Sequence, residues 1–398
     1  MPVAVRIRLS VLMLLQYFTW GAWYVTMGTY LITALKANAV QVGAAYANLS
    51  IAAMISPFFV GMVADRFFAA QHVLAVLHIT GAGVLCWLSV VSGFNGFWWL
   101  ILLYTLLYMP TMSLANSISF RQMTDAGREF PSVRVFGTVG WIIAGLLIGF
   151  LGIEATAIPF RIAAACSLLL GIYSFSLPPA PPVRKKVMLS DVIGLDALVL
   201  FKDRRYGVFF ITAITICIPL AFYYSLANPF LNDKGMVNAA GKMTLGQVSE
   251  MGFMLLMPFL FSRLGVKKMM LLGMGCWIMR YVFFALGDNE TGAWMLYAGI
   301  LLHGVCYDFF FVTGQIYTNH KAGEAVKSAA QGLITFATYG VGMLIGSYVS
   351  GFTAQLYSSK AGDMIHYHWA SIWLVPAVIS GVVLIFFGCL FKDHHHKN

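Results

Sequence analysis

The polar stretch "LPPAPPVRKKVMLSDVIGLDALVLFKDRRYG", residues 177–207, interrupts a chain that is otherwise strongly apolar. Its proline cluster stops one helix, and a basic, partly amphipathic segment follows. The chain has 398 residues, of which 60% are hydrophobic and only 10% are charged, and its mean hydropathy is +0.80. Soluble domains carry about 25% charged residues. The composition therefore indicates a polytopic membrane protein that this interruption divides in two.

Apolar stretches of about 20 residues, the length that crosses a ~30 Å hydrocarbon core, occur six times on each side of the interruption. They lie near 8–35, 41–65, 71–92, 97–120, 133–153 and 157–177, and then near 206–231, 244–262, 267–287, 291–318, 327–354 and 368–391. We predict an all-α polytopic membrane protein with twelve transmembrane helices. Its parts are an N-terminal six-helix half (1–177), a cytoplasmic linker (178–205) and a C-terminal six-helix half (206–398).

Basic residues are distributed unevenly over the predicted loops. With the N-terminus inside the cell, eighteen of the 25 Lys and Arg residues fall on the inner side and five on the outer side. The remaining two, Arg134 and Arg280, lie within spans. This bias follows the positive-inside rule and predicts that both termini are cytoplasmic. Because membrane topology accounts for the net charge of +10, no nucleic acid partner is predicted.

Motifs of enzymes and metal sites are absent from the sequence. The six cysteines all fall in predicted spans without a CxxC pair, so neither a disulfide framework nor a zinc site is expected. There is no HExxH, no GxSxG and no glycine loop that could cradle phosphate. We therefore predict no enzymatic activity, no metal and no cofactor, and we keep a membrane-embedded enzyme or a non-transporting receptor as the alternative from another class.

A weak internal repeat relates the two halves of the chain. "GLLIG" at 145–149 recurs as "GMLIG" at 342–346, and Arg66 matches Arg263 at the same offset of 197 residues. These matches fall in corresponding spans of the two halves, as two parallel six-helix repeats require.

The segment "GMVADRFFAAQ", residues 61–71, is similar to the loop signature that follows the second helix in the major facilitator superfamily. Gly61, Asp65 and Arg66 match that signature, while Phe68 stands in place of its second glycine. The resemblance implies the major facilitator fold.

Only two of the fifteen acidic residues, Glu250 and Asp308, fall inside predicted spans. An ionisable residue within the bilayer is a functional candidate by default. Two alternatives stay open for the charged groups. Arg134 lies near the cytoplasmic end of its span and could extend to the headgroups, and Asp308 could form a structural ion pair with Arg280 on the neighbouring span.

Polar residues at helical spacing form stripes on four predicted spans, which favours a central cavity over a lipid-facing surface. The stripes are Arg134, Thr138 and Trp141 on the fifth span, Tyr224 and Asn228 on the seventh, Gln247 and Glu250 on the eighth, and Asp308 and Gln315, beside the aromatic Tyr307, on the tenth. The histidines His78 and His303 are expected to lie at helix interfaces with their hydrogen bonds satisfied.

Several motifs in the same order resemble the nucleoside:H⁺ symporters of the major facilitator superfamily. They are "LQYFTWGAWYVTMGTYL" at 15–31, "FPSVRVFGTVGW" at 130–141, "GLDALVLFKDRR" at 194–205, "QVSE" at 247–250, "SRLGVKKMM" at 262–270, "YDFFFVTG" at 307–314 and "SAAQG" at 328–332. By this resemblance, nucleoside binding and proton coupling are implied at Arg134, Thr138, Gln247, Glu250 and Asp308. Trp141 and Tyr307 stand where phenylalanine occurs in the family, and Ala221 and Tyr224 replace a Gln and an Asn.

The resemblance implies a proton-coupled nucleoside importer that works by alternating access in the bacterial inner membrane. We expect a monomer in the lipid bilayer, with Glu250, Asp308 and Arg134 in proton coupling. A sugar:H⁺ symporter of the same fold is the main alternative, since ring stacking and acceptance of vicinal hydroxyls suit both substrates.

Overall fold

The computed structural model describes residues 1–66, 68–182, 195–361 and 364–392, and it is almost entirely helical over these ranges. Its α-helices are α1 (Val3–Tyr24), α2 (Met27–Thr33), α3 (Ala39–Arg66), α4 (Ala70–Leu88), α5 (Phe94–Arg121), α6 (Ala126–Leu151), α7 (Ile158–Ser174), α8 (Arg204–Asp233), α9 (Ala239–Met243), α10 (Leu245–Leu286), α11 (Ala293–Tyr307), α12 (Thr313–Thr335), α13 (Met343–Leu356) and α14 (Trp369–Leu390). The other elements are a 3-10 helix (Leu195–Lys202), two π-helical segments (Asp308–Val312 and Phe336–Gly342), and the antiparallel strands β1 (Ser358–Ala361) and β2 (Met364–Tyr367).

The predicted twelve transmembrane helices are confirmed over the described chain. Ten helical stretches are long and apolar enough to cross a bilayer, and α7 is a shorter apolar helix. One of the ten contains two spans, because Gly265 in α10 has a φ of 70° and a ψ of 177°. This left-handed φ favours glycine and divides α10 into 245–264 and 266–286.

The contacts divide the chain into two compact units. Unit 1 comprises Met1–Leu189 together with Val237–Thr244, and unit 2 comprises Ser190–Met236 together with Leu245–Asn398. The predicted domain bounds stay a prediction, since residues 183–194 of the predicted linker lie outside the described residues. The same holds for residue 67 and for the side chains of 57–66, which include most of the predicted loop signature.

Helices in unit 1 approach one another closely at small residues. Helix α1 packs on α6 and α7, α3 on α5, and α4 on α7. At the first of these contacts a Cβ on Gly140 would lie 2.2 Å from the carbonyl oxygen of Leu14. Because lipid gives no hydrophobic drive for helices to associate, packing at small residues and hydrogen bonds hold such a bundle together.

A buried hydrogen-bond network joins four helices of unit 1. The side chain of His78 on α4 is 1% exposed, with Nδ1 2.9 Å from Ser167 Oγ on α7 and Nε2 2.9 Å from Gln16 Oε1 on α1. Gln16 Nε2 in turn donates to Thr111 Oγ1 on α5 at 2.6 Å. Both ring nitrogens of His78 thus have partners, as expected for a histidine between packed helices.

The short helix α9 follows α8 in the chain but packs on α6 within unit 1. Glu154, which is 5% exposed, accepts a hydrogen bond from the backbone nitrogen of Ala240 at 2.8 Å. A Cβ on Gly149 would lie 1.9 Å from Asn238 Oδ1, so this position of α6 leaves no room for a larger side chain. Glu154 therefore holds the first turn of α9, where a carboxylate is favoured by the helix dipole.

In unit 2 the backbone of α11 lies against the first part of α10. A Cβ on Gly304 would lie 2.3 Å from the backbone nitrogen of Glu250, and one on Gly246 would lie 3.2 Å from the carbonyl oxygen of Ile300. The two glycines thus allow the helices to cross next to Glu250. The π-helical segment beginning at Asp308 follows directly after α11, and π turns in helices are frequent at functional sites.

Candidate substrate and proton site

Ionisable and aromatic side chains from α8, both parts of α10, α11 and the first π-helical segment converge inside unit 2. We call this group the unit 2 ionisable cluster; its members are Tyr223, Tyr224, Glu250, Arg280, His303, Tyr307 and Asp308. The crossing of α10 and α11 at Gly304 places Glu250 beside α11, and Asp308 is the first residue of the π-helical segment.

Asp308 is fully buried, with 0% of the residue exposed. Neither of its carboxylate oxygens has a hydrogen-bond partner among the described residues. A buried carboxylate without partners is strongly disfavoured in its charged form, so this group is suited to hold a proton. The structural ion pair between Asp308 and Arg280, one of the two alternatives left open by the sequence, is not formed, because such a pair would satisfy at least one of these oxygens.

Glu250 is half-buried and lies near enough to Tyr223, Tyr307 and Asp308 for its charge to act on each of them. Tyr307 is hydrogen-bonded through its hydroxyl to the hydroxyl of Tyr339 in the second π-helical segment. The charge on one carboxylate disfavours a charge on a second one close to it in a low-dielectric site. The geometry therefore allows a proton on Asp308 to respond to what binds at Glu250.

Arg280 in the second part of α10 is also fully buried. Its Cζ lies 3.5 Å from the ring centroid of Tyr223, and its Nη1 lies 3.1 Å from Nδ1 of His303. His303 stacks on Tyr223 with 4.8 Å between ring centroids. The unit 2 ionisable cluster thus contains a buried cation and two carboxylates, so gain or loss of one proton changes its net charge.

A second group of side chains lies inside unit 1, on α1 and α6. We call it the unit 1 aromatic cluster; its members are Tyr17, Trp20, Tyr24, Arg134 and Trp141. The guanidinium carbon of Arg134 lies 4.0 Å from the ring centroid of Tyr17. A Cβ on Gly137 would lie 2.7 Å from Arg134 Nη1, so glycine makes room for this cation–π contact. Arg134 therefore packs on α1.

Trp141 lies two turns further along α6, against Trp20 and Tyr24 of α1. The ring centroids of Trp20 and Trp141 are 5.4 Å apart with the planes at 77°, and those of Tyr24 and Trp141 are 6.2 Å apart. Trp20 Nε1 is buried without a hydrogen-bond partner among the described residues. Unit 1 thus combines aromatic faces with an unused indole donor and a cation.

The structure places the nine residues predicted from the sequence in two groups. It brings Tyr224, Glu250, Tyr307 and Asp308 together in unit 2, and Arg134 and Trp141 together in unit 1. Among the others, Thr138 lies half-buried on α6, Gln247 lies half-buried one turn before Glu250, and Asn228 is fully buried one turn after Tyr224. Asn228 Oδ1 accepts from Asn232 Nδ2 at 3.3 Å. Roles for all nine in binding or coupling stay predictions.

Several residues of both clusters were not singled out as site residues from the sequence. In unit 1 they are Tyr17, Trp20 and Tyr24, whose spacing of i, i+3 and i+7 on α1 is itself the signature of one helix face. In unit 2 they are Tyr223 within the cluster and Tyr339, which bonds to Tyr307 from outside it, together with the role of His303 as the partner of Arg280. No local sequence pattern predicts the contacts of Tyr223, Tyr339 and His303, because each contact joins residues of different helices.

Twelve spans in two compact units, with ionisable groups buried inside unit 2, define a transporter of the major facilitator class. The comparisons with known proteins agree. The family model described as Nucleoside H+ symporter matches residues 3–396, so the chain belongs to the nucleoside H⁺ symporter family.

Relatives and a solved structure extend over the whole chain. The chain is 42% identical to YegT of Escherichia coli (strain K12), which is provisionally named as a nucleoside transporter, over 98% of this chain and 94% of that protein. It is 34% identical to the xanthosine permease of the same organism, over 99% of this chain and 97% of that protein. The crystal structure of the nucleoside transporter NupG superposes with a TM-score of 0.88 at 31% identity, covering 98% of this chain and 100% of that chain.

Proposed function

We propose that this protein imports nucleosides across the bacterial cytoplasmic membrane, driven by protons that move through unit 2 by way of Asp308. The observation that carries the coupling assignment is the buried carboxylate of Asp308, which has no hydrogen-bond partner among the described residues. Membership of the nucleoside H⁺ symporter family supports the substrate class and the driving ion. The topology that we propose has both termini in the cytoplasm, as the basic loops favour, and the chain acts as a monomer in the bilayer.

Charge balance in the unit 2 ionisable cluster gives the proposed coupling a physical basis. With Glu250 and Asp308 both ionised, Arg280 compensates only one of two negative charges. A proton on Asp308 makes the cluster neutral overall. Because uncompensated charge is costly away from water, the protonated cluster is favoured whenever the site is closed to both sides. Proton binding thus permits the closed state through which alternating access must pass.

The substrate contacts follow from the chemistry of a nucleoside, which presents an aromatic base and a ribose with vicinal hydroxyls. Glu250, being half-buried, is placed to accept hydrogen bonds from ribose hydroxyls, with Gln247 one turn before it on the same helix face. Tyr224 and Tyr307 in unit 2 and Trp141 in unit 1 offer ring faces for a base. Arg134 and Thr138 add donors on α6, and Asn228 adds an amide on α8.

The function is tested with the purified protein in proteoliposomes whose interior is more alkaline than the medium. For one proton per nucleoside, a gradient of about one pH unit supports about tenfold accumulation. We expect accumulation of at least one of uridine, adenosine and xanthosine, and its loss on addition of a protonophore.

Excess hexose serves as the competitor that separates the sugar alternative. We expect hexose to leave nucleoside uptake unchanged. Uptake of hexose in place of nucleosides would contradict the proposal, and so would nucleoside accumulation that is the same with and without the pH gradient.

A further inference from the structure

Arg280 is a buried cation whose contacts in unit 2 leave part of its guanidinium without hydrogen-bond partners among the described residues. It is 0% exposed, and its Nε and Nη2 have no hydrogen-bond partner among the described residues. Leaving N–H groups of a charged side chain unpaired in an apolar interior is costly. Its guanidinium lies over the ring of Tyr223, and its Nη1 contacts Nδ1 of His303.

The contact between Arg280 and His303 determines which ring nitrogen of the histidine carries its hydrogen. A guanidinium offers only donors and is not deprotonated in proteins. Nη1 of Arg280 lies 3.1 Å from Nδ1 of His303, so Nδ1 must be the acceptor. A neutral imidazole that accepts at Nδ1 carries its hydrogen on Nε2. Arg280 thereby holds His303 in the neutral form with Nε2–H.

His303 lies among the groups that we assign to the substrate. Its ring is stacked on Tyr223 and lies 6.2 Å from the ring of Tyr224 and 6.1 Å from that of Tyr307, between centroids. The next residue, Gly304, is the point at which α11 touches the backbone of Glu250. The two carboxylates of the cluster serve ribose hydroxyls and the proton. A neutral N–H donor beside them suits the acceptor atoms on the edge of a nucleobase.

We propose that Arg280 is a positioning residue that fixes the tautomer of His303, and that His303 donates its Nε2–H to an acceptor atom of the nucleoside base. This inference rests on the proposed function and adds a hydrogen bond to the nucleobase to it. The base acceptors concerned are ring nitrogens such as N3 and N7 of a purine, or a carbonyl oxygen of a pyrimidine.

Two replacements of His303 separate the donor role from a merely structural one. The amide nitrogen of glutamine takes the place of Nε2, whereas that of asparagine takes the place of Nδ1. We expect His303→Gln to keep the KM for adenosine within about threefold of the wild type, and His303→Asn to raise it about tenfold or more, as loss of one base hydrogen bond predicts. The exposed His72→Asn is the matched control, and it should leave the KM unchanged.

Replacements of Arg280 test the positioning role. Arg280→Lys retains a donor toward Nδ1 of His303. It should therefore keep most of the affinity for adenosine, whereas Arg280→Met should lose it. In a His303→Gln background the loss caused by Arg280→Met should shrink, because a glutamine donor needs no tautomer to be fixed. A purely structural Arg280 would instead lower uptake by the same factor in both backgrounds.

Adenosine and its 3-deaza and 7-deaza analogues provide a measurement that does not depend on how much variant protein folds. The wild type should prefer adenosine about tenfold or more over the analogue that lacks the acceptor contacted by His303, in line with the strong rejection of substrates that leave a buried polar group unpaired. In His303→Asn this preference should vanish. If the wild type accumulates nucleosides but His303→Asn keeps the full preference, the His303 contact is wrong while the function stands. If the wild type accumulates no nucleoside, both are wrong.

Discussion

Two buried histidines, His78 in unit 1 and His303 in unit 2, differ in how completely their own polar groups and those of their neighbours are hydrogen-bonded. His78 in unit 1 has partners on both ring nitrogens, and its network continues through Gln16 to Thr111. His303 in unit 2 contacts Arg280, whose Nε and Nη2 have no hydrogen-bond partner within the described part of the chain. Asp308 lies five residues further along, and its carboxylate oxygens likewise have no partner there. A satisfied network holds helices together, whereas a cluster with unpaired charged groups can respond to a proton or a ligand.

The largest effect that follows from this difference is expected at Gly304. A Cβ at Gly304 would lie 2.3 Å from the backbone nitrogen of Glu250, and backbone cannot rotate away as a side chain can. Gly304→Ala should therefore separate α11 from α10, at a cost of about 1–3 kcal/mol, and lower nucleoside uptake about tenfold.

Gly252→Ala is the control for this change, because a Cβ there meets nothing within 4 Å although the residue lies only two positions from Glu250. Initial uptake rates, normalised to protein in the vesicles, provide the comparison. Equal rates for the two variants would show that the crossing of α10 and α11 does not position the unit 2 ionisable cluster.

A smaller effect of a different kind is expected in unit 1. Gln16→Leu removes one hydrogen-bond partner from His78 and one from Thr111, and unpaired buried polar groups cost about 1–3 kcal/mol of stability. Thermal unfolding of the detergent-solubilised protein should shift to lower temperature, while the nucleoside preference of the remaining folded protein stays as in the wild type. Gln355→Leu, at an exposed position of α13, should change neither the unfolding temperature nor the nucleoside preference. A changed nucleoside preference in Gln16→Leu would mean that this network also takes part in substrate binding.

The smallest effect is expected at an ion pair of unit 2 that belongs neither to the His78 network nor to the unit 2 ionisable cluster. Lys321 Nζ lies 2.5 Å from Asp203 Oδ2, and this hydrogen bond holds the pKa of the Asp203 carboxyl below its usual range. Because both side chains are about one-third exposed, at 34% and 33%, solvent screens the pair, and Lys321→Met should cost less than about 1 kcal/mol.

The sign of the pH dependence at Asp203 follows from the lowered pKa. The pair stabilises the fold above the unfolded pKa of about 4, and that contribution disappears as the pH falls through the lower folded value. The difference in unfolding temperature between the wild type and Lys321→Met should therefore vanish in acid. A difference that persists there would assign Lys321 a role in packing.

Much of the fold could be predicted from the sequence because membrane spans are set by apolar length. The break at Gly265 falls between the predicted eighth and ninth spans, where helix α10 continues on both sides. The last glycine in each copy of the internal repeat also has a structural role, since Gly149 lies against Asn238 and Gly346 lies against Ile218. Both glycines allow a neighbouring segment to approach.

The contacts within the candidate site could not be predicted to the same extent. The sequence indicated that Arg280 and Asp308 both lie within spans, and pairing of opposite charges was the natural alternative. The structure instead places Arg280 against His303, and Asp308 begins a π-helical turn that no residue pattern in 308–312 predicts. A change of register in one helix turn is enough to redirect a side chain to another neighbour.

The central claim is that the buried carboxylate of Asp308 carries the coupled proton, and proton movement measured on addition of nucleoside tests it most directly. In weakly buffered medium without a pH gradient, adding nucleoside to wild-type proteoliposomes should make the medium alkaline as protons enter with the substrate. Asp308→Asn should abolish this signal while nucleoside counterflow continues, and Asp196→Asn, at an exposed position, should leave it unchanged. An undiminished proton signal in Asp308→Asn would contradict the account.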